Sequence, residues 1–287
     1  MRDSIQRLLT LRQFPGLGEA ELAELAVIAE NVVEVEFPIG AVVAPPRRVP
    51  ALHLVVEGRI EAGSAAWGPR QVYGALEVIA GRAIATPAIA AIATRALQLP
   101  AADFAEILED NFGLLSNVRR TLARQLLAAG HRAPARARLS YVFRPGPLGL
   151  VDRLILLRHQ ITFATGWIQA LAALARSTRE VHWPAGAIVS RAGDPAASAL
   201  VVIHGTVRCG PDPDARLLGP GEAFGALEIL AEVPYQTTAE TITDVRALEC
   251  PSIALFDMME DHTELALSMI ARLASVLLDH GRWPVPS

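Results

Sequence analysis

Two short segments of the chain carry the residue types from which an anion-binding site can be built. Residues 73–80 read YGALEVIA and residues 224–231 read FGALEILA. A helix that starts after such an aromatic-glycine pair points the free N–H groups of its first turn towards a bound anion. Glu77, Glu228 and Arg82 are the nearby charged side chains that a ligand could contact. The two glutamates are also explained as exposed acids that complement the helix dipole.

The remaining reactive residue types form no pattern that indicates an enzyme. The seven histidines are scattered, and the sequence contains no zinc-protease, phosphate-loop, serine-hydrolase or paired-carboxylate motif. Cys209 and Cys250 are too few for a disulfide framework or a zinc site, so they predict reduced thiols. We therefore expect a protein that is not an enzyme and that holds no metal and no cofactor.

Composition and charge predict a cytoplasmic protein. The 287 residues include 52% hydrophobic and 5% aromatic residues, and the net charge is -4. This charge gives no overall attraction to nucleic acid or to an anionic membrane. The N-terminus lacks the apolar core of a signal peptide, and no apolar run approaches the roughly 20 residues that span a bilayer. All 26 basic residues are arginines, which suggests a bacterial source.

The two segments belong to a long internal repeat. Residues 68–100 match residues 219–251 without a gap at an offset of 151, with 13 identities over 33 positions. Weaker matches continue outward, as between LHLVVEGRI at 52–60 and ALVVIHGTV at 199–207. A repeating unit of roughly 130 residues has the size of a whole domain rather than of a solenoid repeat.

The repeat sets the predicted domain boundaries. The first domain covers residues 1–130 and the second covers residues 151–287, and a linker rich in proline and arginine, 131–150, joins them. Seven arginines and no acid lie between residues 119 and 144. They fit a helix end followed by a solvated linker, or alternatively a patch that binds anions or nucleic acid.

Hydrophobic periodicity predicts the elements that position these segments. Each repeat opens with an amphipathic helix, continues with short strands separated by Gly and Pro, and closes with a long helix. The fold class that follows is α+β, with two tandem antiparallel β-rolls of the jelly-roll type, each flanked by N- and C-terminal helices. The apolar faces of the two opening helices comprise Leu22, Leu25, Ala26 and Ile28, and Ile168, Leu171, Leu174 and Ala175.

The closing helix of the second repeat carries an apolar stripe that is wider than one contact needs. This stripe predicts a homo-oligomer, or docking onto a protein partner, through the C-terminal helix. Its members are Leu265, Met269, Leu273 and Val276.

The order of elements and three sequence runs resemble the cyclic-nucleotide-binding domain superfamily, which includes Crp/Fnr-type regulators and the regulatory subunit of protein kinase A. WPAGAIVSRAGDPAASALVVIHGTV at 183–207 resembles the family's first strands and their Gly-containing turns. LLGPGEAFGALEIL at 217–230 resembles the start of its phosphate-binding cassette, and 251–278 resembles its terminal helices. In the first repeat, Arg70 replaces the glycine that precedes the aromatic residue.

The resemblance implies which positions would grip a nucleotide. In the family, a glutamate directly after the cassette glycine binds the ribose, and an arginine nine residues later pairs with the phosphate. After Gly74, this chain has Ala75 and Ile84 at these positions. After Gly225, it has Ala226 and Tyr235. Each lost charge-assisted hydrogen bond costs about 1.5–3 kcal/mol, so two losses weaken binding by roughly two to four powers of ten.

These replacements predict a regulatory or scaffold protein that acts through another protein and has lost the usual cyclic-nucleotide binding. The alternative is a sensor of cyclic nucleotide, or of another small anion, with a rearranged site that uses Glu77, Arg82 or Glu228. A transcription factor of the Crp type would need a further DNA-binding domain of roughly 60–70 residues. We expect none, because the sequence after the last helix is too short. The sequence also predicts no membrane partner.

Overall fold

The computed structural model describes residues 2–18, 20–130, 146–160, 168–211, 213 and 215–279. Most of the predicted linker, including the arginines between 131 and 145, therefore lies outside the described residues. Within the described part, each repeat has its own set of helices and short strands.

The first repeat begins and ends with helices and has short strands between them. Its helices are α1 (Arg2–Leu11), α2 (Leu22–Asn31), α3 (Ala75–Ala80), α4 (Ala101–Asp110) and α5 (Phe112–Ala128). Its strands are β1 (Val33–Phe37), β2 (Val42–Ala44), β3 (Leu52–Glu57), β4 (Ile60–Ala62), β5 (Ala65–Trp67), β6 (Val72–Tyr73), β7 (Ala88–Ala90) and β8 (Thr94–Leu99).

The second repeat has the same sequence of elements. Its helices are α6 (Leu150–His159), α7 (Ile168–Ser177), α8 (Ala226–Ala231), α9 (Ser252–Asp261) and α10 (Thr263–Asp279). Its strands are β9 (Arg179–Trp183), β10 (Ile188–Ser190), β11 (Ser198–His204), β12 (Val207–Cys209), β13 (Arg216–Leu218), β14 (Ala223–Phe224), β15 (Ala239–Thr241) and β16 (Val245–Pro251).

Strand order is identical in the two repeats. In the first, the sheets run β1-β8-β3-β6 and β2-β7-β4-β5. In the second, they run β9-β16-β11-β14 and β10-β15-β12-β13. Every pairing is antiparallel, with the register of β3 on β8 matching that of β11 on β16. The predicted fold class of two tandem antiparallel β-rolls with flanking helices is therefore confirmed, and residues 68–100 and 219–251 adopt the same elements.

The space between the two sheets of each roll is filled by small aliphatic side chains and a few aromatic ones. In the first roll the core includes Val55, Ile60, Tyr73 and Ala88. The second core contains Leu200, Val202, Leu218 and Ala247, among others. Alternation of buried and exposed residues along the strands places these side chains inward.

The turn at Arg70 has the same backbone geometry as the turn at Gly221, its counterpart in the second repeat. Arg70 has a φ of 66° where its counterpart Gly221 has a φ of 83°. The N–H of Arg70 donates to the Val55 carbonyl, and the N–H of Gly221 donates to the Val202 carbonyl. The turn therefore survives the loss of glycine, at the steric cost of a side chain in the left-handed region.

Two predicted apolar faces each contain a residue that lies outside the core. Leu22 is 60% exposed and Ile168 is 64% exposed, whereas Leu25, Leu171 and Leu174 are buried. Leu22 and Ile168 are each the first residue of their helix. A three-to-four spacing identifies the buried face but does not say how far along the helix the packing partner extends.

By compactness the chain divides into two units. Unit 1 comprises Met1–Thr121 with the part of α10 from Ile270 onward, and unit 2 comprises Leu122–Met269. These limits differ from those of the sequence repeats, because the C-terminal halves of α5 and α10 are each assigned to the unit built around the other repeat's strands.

The apolar stripe of α10 is buried within a single chain. Its members are 0–7% exposed, so the stripe offers no open face to a second copy in this structure. Self-association through this stripe stays a prediction, and it would require α10 to detach from the residues that now bury the stripe. No helix in the described ranges combines the length and the apolar content needed to cross a membrane.

Candidate functional site

In both repeats the short cassette helix follows a glycine that the local geometry requires. Gly74, with a φ of 84°, precedes α3, and Gly225, with a φ of 83°, precedes α8. A Cβ atom at Gly74 would lie 2.6 Å from the Ala51 carbonyl oxygen, and one at Gly225 would lie 2.9 Å from the Ser198 carbonyl oxygen. The cassette turn of the sequence analysis is therefore present twice.

A cavity of about 500 Å³, here called the first cavity, lies beside the cassette turn of unit 1. Five of the residues singled out from the sequence line it: Gly74, Ala75, Glu77, Arg82 and Ile84. The rest of its wall is mostly apolar and includes Ala62, Ala65, Trp67, Tyr73, Leu277 and Leu278. The structure therefore brings together the predicted residues of the first cassette.

Ile84 is the residue that the resemblance places at the phosphate-binding arginine's position in the first cassette. It is 7% exposed and packs in the core of the first roll. Its N–H donates to the Arg48 carbonyl, and its own carbonyl accepts from the N–H of Arg47. Because both backbone groups and the side chain are engaged inside the protein, this position supplies no group to a phosphate.

The arginine of the first cavity is already paired with a carboxylate, and the glutamate of the same cavity is partly desolvated. The Nη1 atom of Arg82 lies 2.5 Å from the Oδ1 atom of Asp279, and both side chains are about half exposed. Burial raises the pKa of Glu77, an effect that its own backbone N–H and the charge of Arg82 oppose. Arg82 is therefore already paired with a carboxylate and would have to leave this pair to bind an anion.

A smaller cavity of about 180 Å³, the second cavity, lies beside the cassette turn of unit 2. Gly225, Ala226, Glu228 and Tyr235 line it, as predicted from the sequence. A basic residue, Arg216, lines it too, and its Nη2 atom lies 3.2 Å from the Oε1 atom of Glu222. The sequence analysis missed Arg216, which lies ten residues before the cassette helix, outside the repeated segment.

Tyr235, which the resemblance places at the phosphate-binding arginine's position in the second cassette, is 8% exposed. Its hydroxyl donates to the Ser198 carbonyl at 2.5 Å, and its ring lies 6.2 Å from the ring of Phe224. The Cε1 atom of Tyr235 also comes within 2.9 Å of where a Cβ of Gly225 would be. The tyrosine ring thus fills space next to the cassette turn, which fits the small volume of the second cavity.

This cassette geometry agrees with the comparisons with known proteins. Residues 180–262 match the cyclic nucleotide-binding domain family. That range covers the strands and cassette of the second repeat, and the first repeat shares its strand order.

Similar proteins include bacterial regulators and regulatory kinase subunits. The chain is 33% identical over 111 residues to a CRP-like cAMP-activated global transcriptional regulator of Mycobacterium tuberculosis, which is 37% of this chain and 50% of that protein. The chain thus spans about half the length of the curated relatives that it matches first.

Two solved structures also align with the chain. The N-terminal domain of a transcriptional regulator from Streptomyces coelicolor is 27% identical, with a TM-score of 0.39, over 44% of this chain and 94% of that one. The regulatory domain of Toxoplasma gondii PKA with cAMP is 13% identical, with a TM-score of 0.36, over 97% and 96% of the two chains.

Two buried polar groups next to the first cassette escaped the sequence analysis. The Nε2 atom of His53 and the hydroxyl of Tyr73 have no hydrogen-bond partner among the described residues, although both side chains are 1% exposed. Burial lowers the pKa of His53 to about 4 and raises that of Tyr73. The second repeat has Leu200 and Phe224 at these positions, so a repeat alignment read position by position would have revealed the difference.

The two cysteines are buried and are not joined in a disulfide. Burial raises the pKa of the Cys250 thiol to about 12, which makes it a poor nucleophile. No cluster of three or more His, Cys, Asp or Glu side chains in the described ranges is placed to hold a metal ion.

Proposed function

We propose that this chain is a non-enzymatic regulatory protein in which two cyclic-nucleotide-binding folds serve to contact another protein and no longer bind cyclic nucleotide in the usual way. The observation that carries the proposal is what occupies the two positions that the resemblance assigns to phosphate-binding arginines. Ile84 lies in the core of the first roll, and the Tyr235 hydroxyl is bonded to a backbone carbonyl. Neither position offers a cation to a phosphate.

The charges around the two cavities support the same proposal. Each cavity is lined by one glutamate, Glu77 or Glu228, and by one arginine that is paired with a carboxylate. A cyclic phosphate entering either cavity would lose hydration without meeting an uncommitted cation and would approach a carboxyl group. The helices beside the cavities have only six residues each, so their dipoles offset little of this cost.

An exposed apolar pair on the first roll supports a protein partner. Val42 on β2 and Ile89 on β7 are cross-strand neighbours and are 58% and 40% exposed. In the second roll the equivalent pair is Ile188 with Glu240, which is less apolar. Ile39 and Ile92, each three residues along the chain from a member of this pair, are also exposed.

The partner surface can be tested by affinity purification from the organism that encodes the protein. We expect the parent chain to retain a specific protein and the double variant Val42→Lys with Ile89→Lys to lose it, because two buried ammonium groups would oppose an apolar contact. Ile188→Lys, at the equivalent position of the second roll, is the matched control and should retain the partner. Equal retention by all three chains would contradict this assignment of the surface.

The alternative function, a sensor with a rearranged site, rests on Arg82, which lines the first cavity. If Arg82 serves a phosphate, Asp279 competes with the ligand for it. Asp279→Asn should then strengthen cyclic AMP binding about tenfold or more, since a charge-assisted contact is worth about 1.5–3 kcal/mol. We expect instead that the parent chain gives no measurable heat with cyclic AMP. We also expect that Asp279→Asn does not saturate at micromolar ligand, because Glu77 still lines the cavity and Ala75 offers no carboxylate to the ribose.

A further inference from the structure

The two cavities differ in size in a way that bears on what they hold. Small-molecule sites in proteins have volumes of about 300–1,000 Å³. The first cavity, at about 500 Å³, falls within this range, whereas the second cavity, at about 180 Å³, falls below it. Part of this difference follows from the residue at one position, because Tyr235 lies beside the cassette turn where the first repeat has Ile84. Of these two cavities, the first is the one with room for a molecule of several rings.

The wall of the first cavity is apolar over most of its area. Trp67 and Tyr73 contribute aromatic rings, which contact each other edge to face at 5.0 Å between centroids. Leu277 and Leu278, from the end of α10, add aliphatic surface. Such a wall favours a ligand with an apolar ring system, because burying apolar surface stabilises the complex.

The charged groups of the first cavity disfavour a ligand with a net charge. Glu77 in the wall and Asp279 next to Arg82 oppose an anion, and the guanidinium of Arg82 opposes a cation. No other described residue lining the cavity carries an ionisable acid or base apart from the Tyr73 phenol. An uncharged molecule would leave the Arg82–Asp279 pair intact.

Two buried polar atoms without a hydrogen-bond partner among the described residues, Tyr73 Oη and His53 Nε2, lie at or directly behind the wall of the first cavity. Tyr73 lines the cavity, and His53 lies behind it as its cross-strand neighbour, with 5.9 Å between the ring centroids. Unpaired buried polar groups destabilise a folded protein. The second repeat, whose cavity is smaller, has the apolar pair Leu200 and Phe224 here. The first repeat is therefore polar, at His53 and Tyr73, where the second repeat is apolar.

From these observations we propose that the first cavity binds an uncharged small molecule with an apolar, ring-containing body. The cavity lies beside the cassette turn of the first repeat, where the positions that the resemblance assigns to anion contacts hold Ala75 and Ile84 and most of the wall is apolar. This inference stands apart from the proposed function, because a cavity that rejects cyclic AMP need not accept any other ligand.

Two fluorescent probes that differ by one sulfonate test the proposal on the full chain. N-phenyl-1-naphthylamine is uncharged, and 8-anilino-1-naphthalenesulfonate has the same ring system with one negative charge. We expect the uncharged probe to bind saturably, at one site per chain, and the sulfonate to bind about tenfold or more weakly. Titrations with cyclic AMP alongside keep this result separate from that of the proposed function.

Equivalent substitutions in the two repeats locate the bound probe. Thr86 lines the first cavity and Thr237, at the same repeat position, lines the second. Thr86→Trp should fill the first cavity and weaken binding of the uncharged probe about tenfold or more, whereas Thr237→Trp should leave it unchanged. Circular dichroism checks that both variants are folded.

Three results would each overturn the proposal. They are the absence of saturable binding of the uncharged probe, binding of the sulfonate as tight as or tighter than that of the uncharged probe, and equal affinity of the folded Thr86→Trp variant and the parent chain.

Discussion

Replacing Ala226 by Glu and Tyr235 by Arg together should increase the affinity for cyclic AMP by about a hundredfold or more over the parent chain. The substitutions restore in the second repeat, the one that matches the family directly, a carboxylate for the ribose and a guanidinium for the phosphate. Each charge-assisted contact is worth about 1.5–3 kcal/mol, and 1.4 kcal/mol is a factor of ten. Isothermal titration calorimetry measures the gain.

A second variant separates charge from space in this experiment. Tyr235→Leu removes the ring and its bond to the Ser198 carbonyl but adds no cation. We expect it to bind cyclic AMP no better than the parent chain. If Tyr235→Leu gained as much affinity as the double variant, the size of the cavity rather than the missing cation would limit binding, and the electrostatic part of the account would be wrong.

Replacing His53 by Leu should remove most of an acid-induced loss of stability. Burial lowers the pKa of His53 in the folded protein to about 4, below the ordinary value of 6.5. As the pH falls between these values, the unfolded chain binds a proton that the folded chain does not, so the free energy of unfolding decreases. At 1.36 kcal/mol per pKa unit, this loss amounts to about 2–3 kcal/mol between pH 7.5 and pH 4.5.

Urea unfolding at the two pH values measures the effect. Leucine is the residue of the second repeat at this position, Leu200, so the substitution suits the local fold. Phe37→Leu is the matched control, since Phe37 packs edge to face on His53 and does not titrate. It should lower stability by the same amount at both pH values. A pH dependence in His53→Leu equal to that of the parent chain would show that His53 titrates normally in the folded state.

Local sequence information was sufficient for the fold and for the two turn glycines. The 13 identities at a constant offset predict two copies of one fold, and the strand orders are indeed the same. The repeat aligns Gly74 with Gly225. In the structure both have a positive φ and pack against a carbonyl oxygen, which only glycine tolerates. Ala75 and Ala226 are then identified as the residues that directly follow these two glycines.

The parts of the site that come from distant residues could not be predicted in this way. Asp279 pairs with Arg82 across 197 positions, and Leu277 and Leu278 reach the first cavity from a helix that the repeat assigns to the second domain. Periodicity identified the apolar stripe of α10 but not what covers it, so the stripe suggested an open surface where the side chains are buried. Such contacts depend on how helices pack in three dimensions rather than on spacing along the chain.

The central claim is that neither cassette offers a free cation to a cyclic phosphate. Its most direct test is calorimetry of the unmodified protein with cyclic AMP at protein concentrations of tens of micromolar. The account predicts no saturable heat at micromolar ligand, because Ile84 is in the core, Tyr235 is bonded to Ser198, and Arg82 is paired with Asp279. A titration that saturates at micromolar cyclic AMP, with one or two sites per chain, would contradict it.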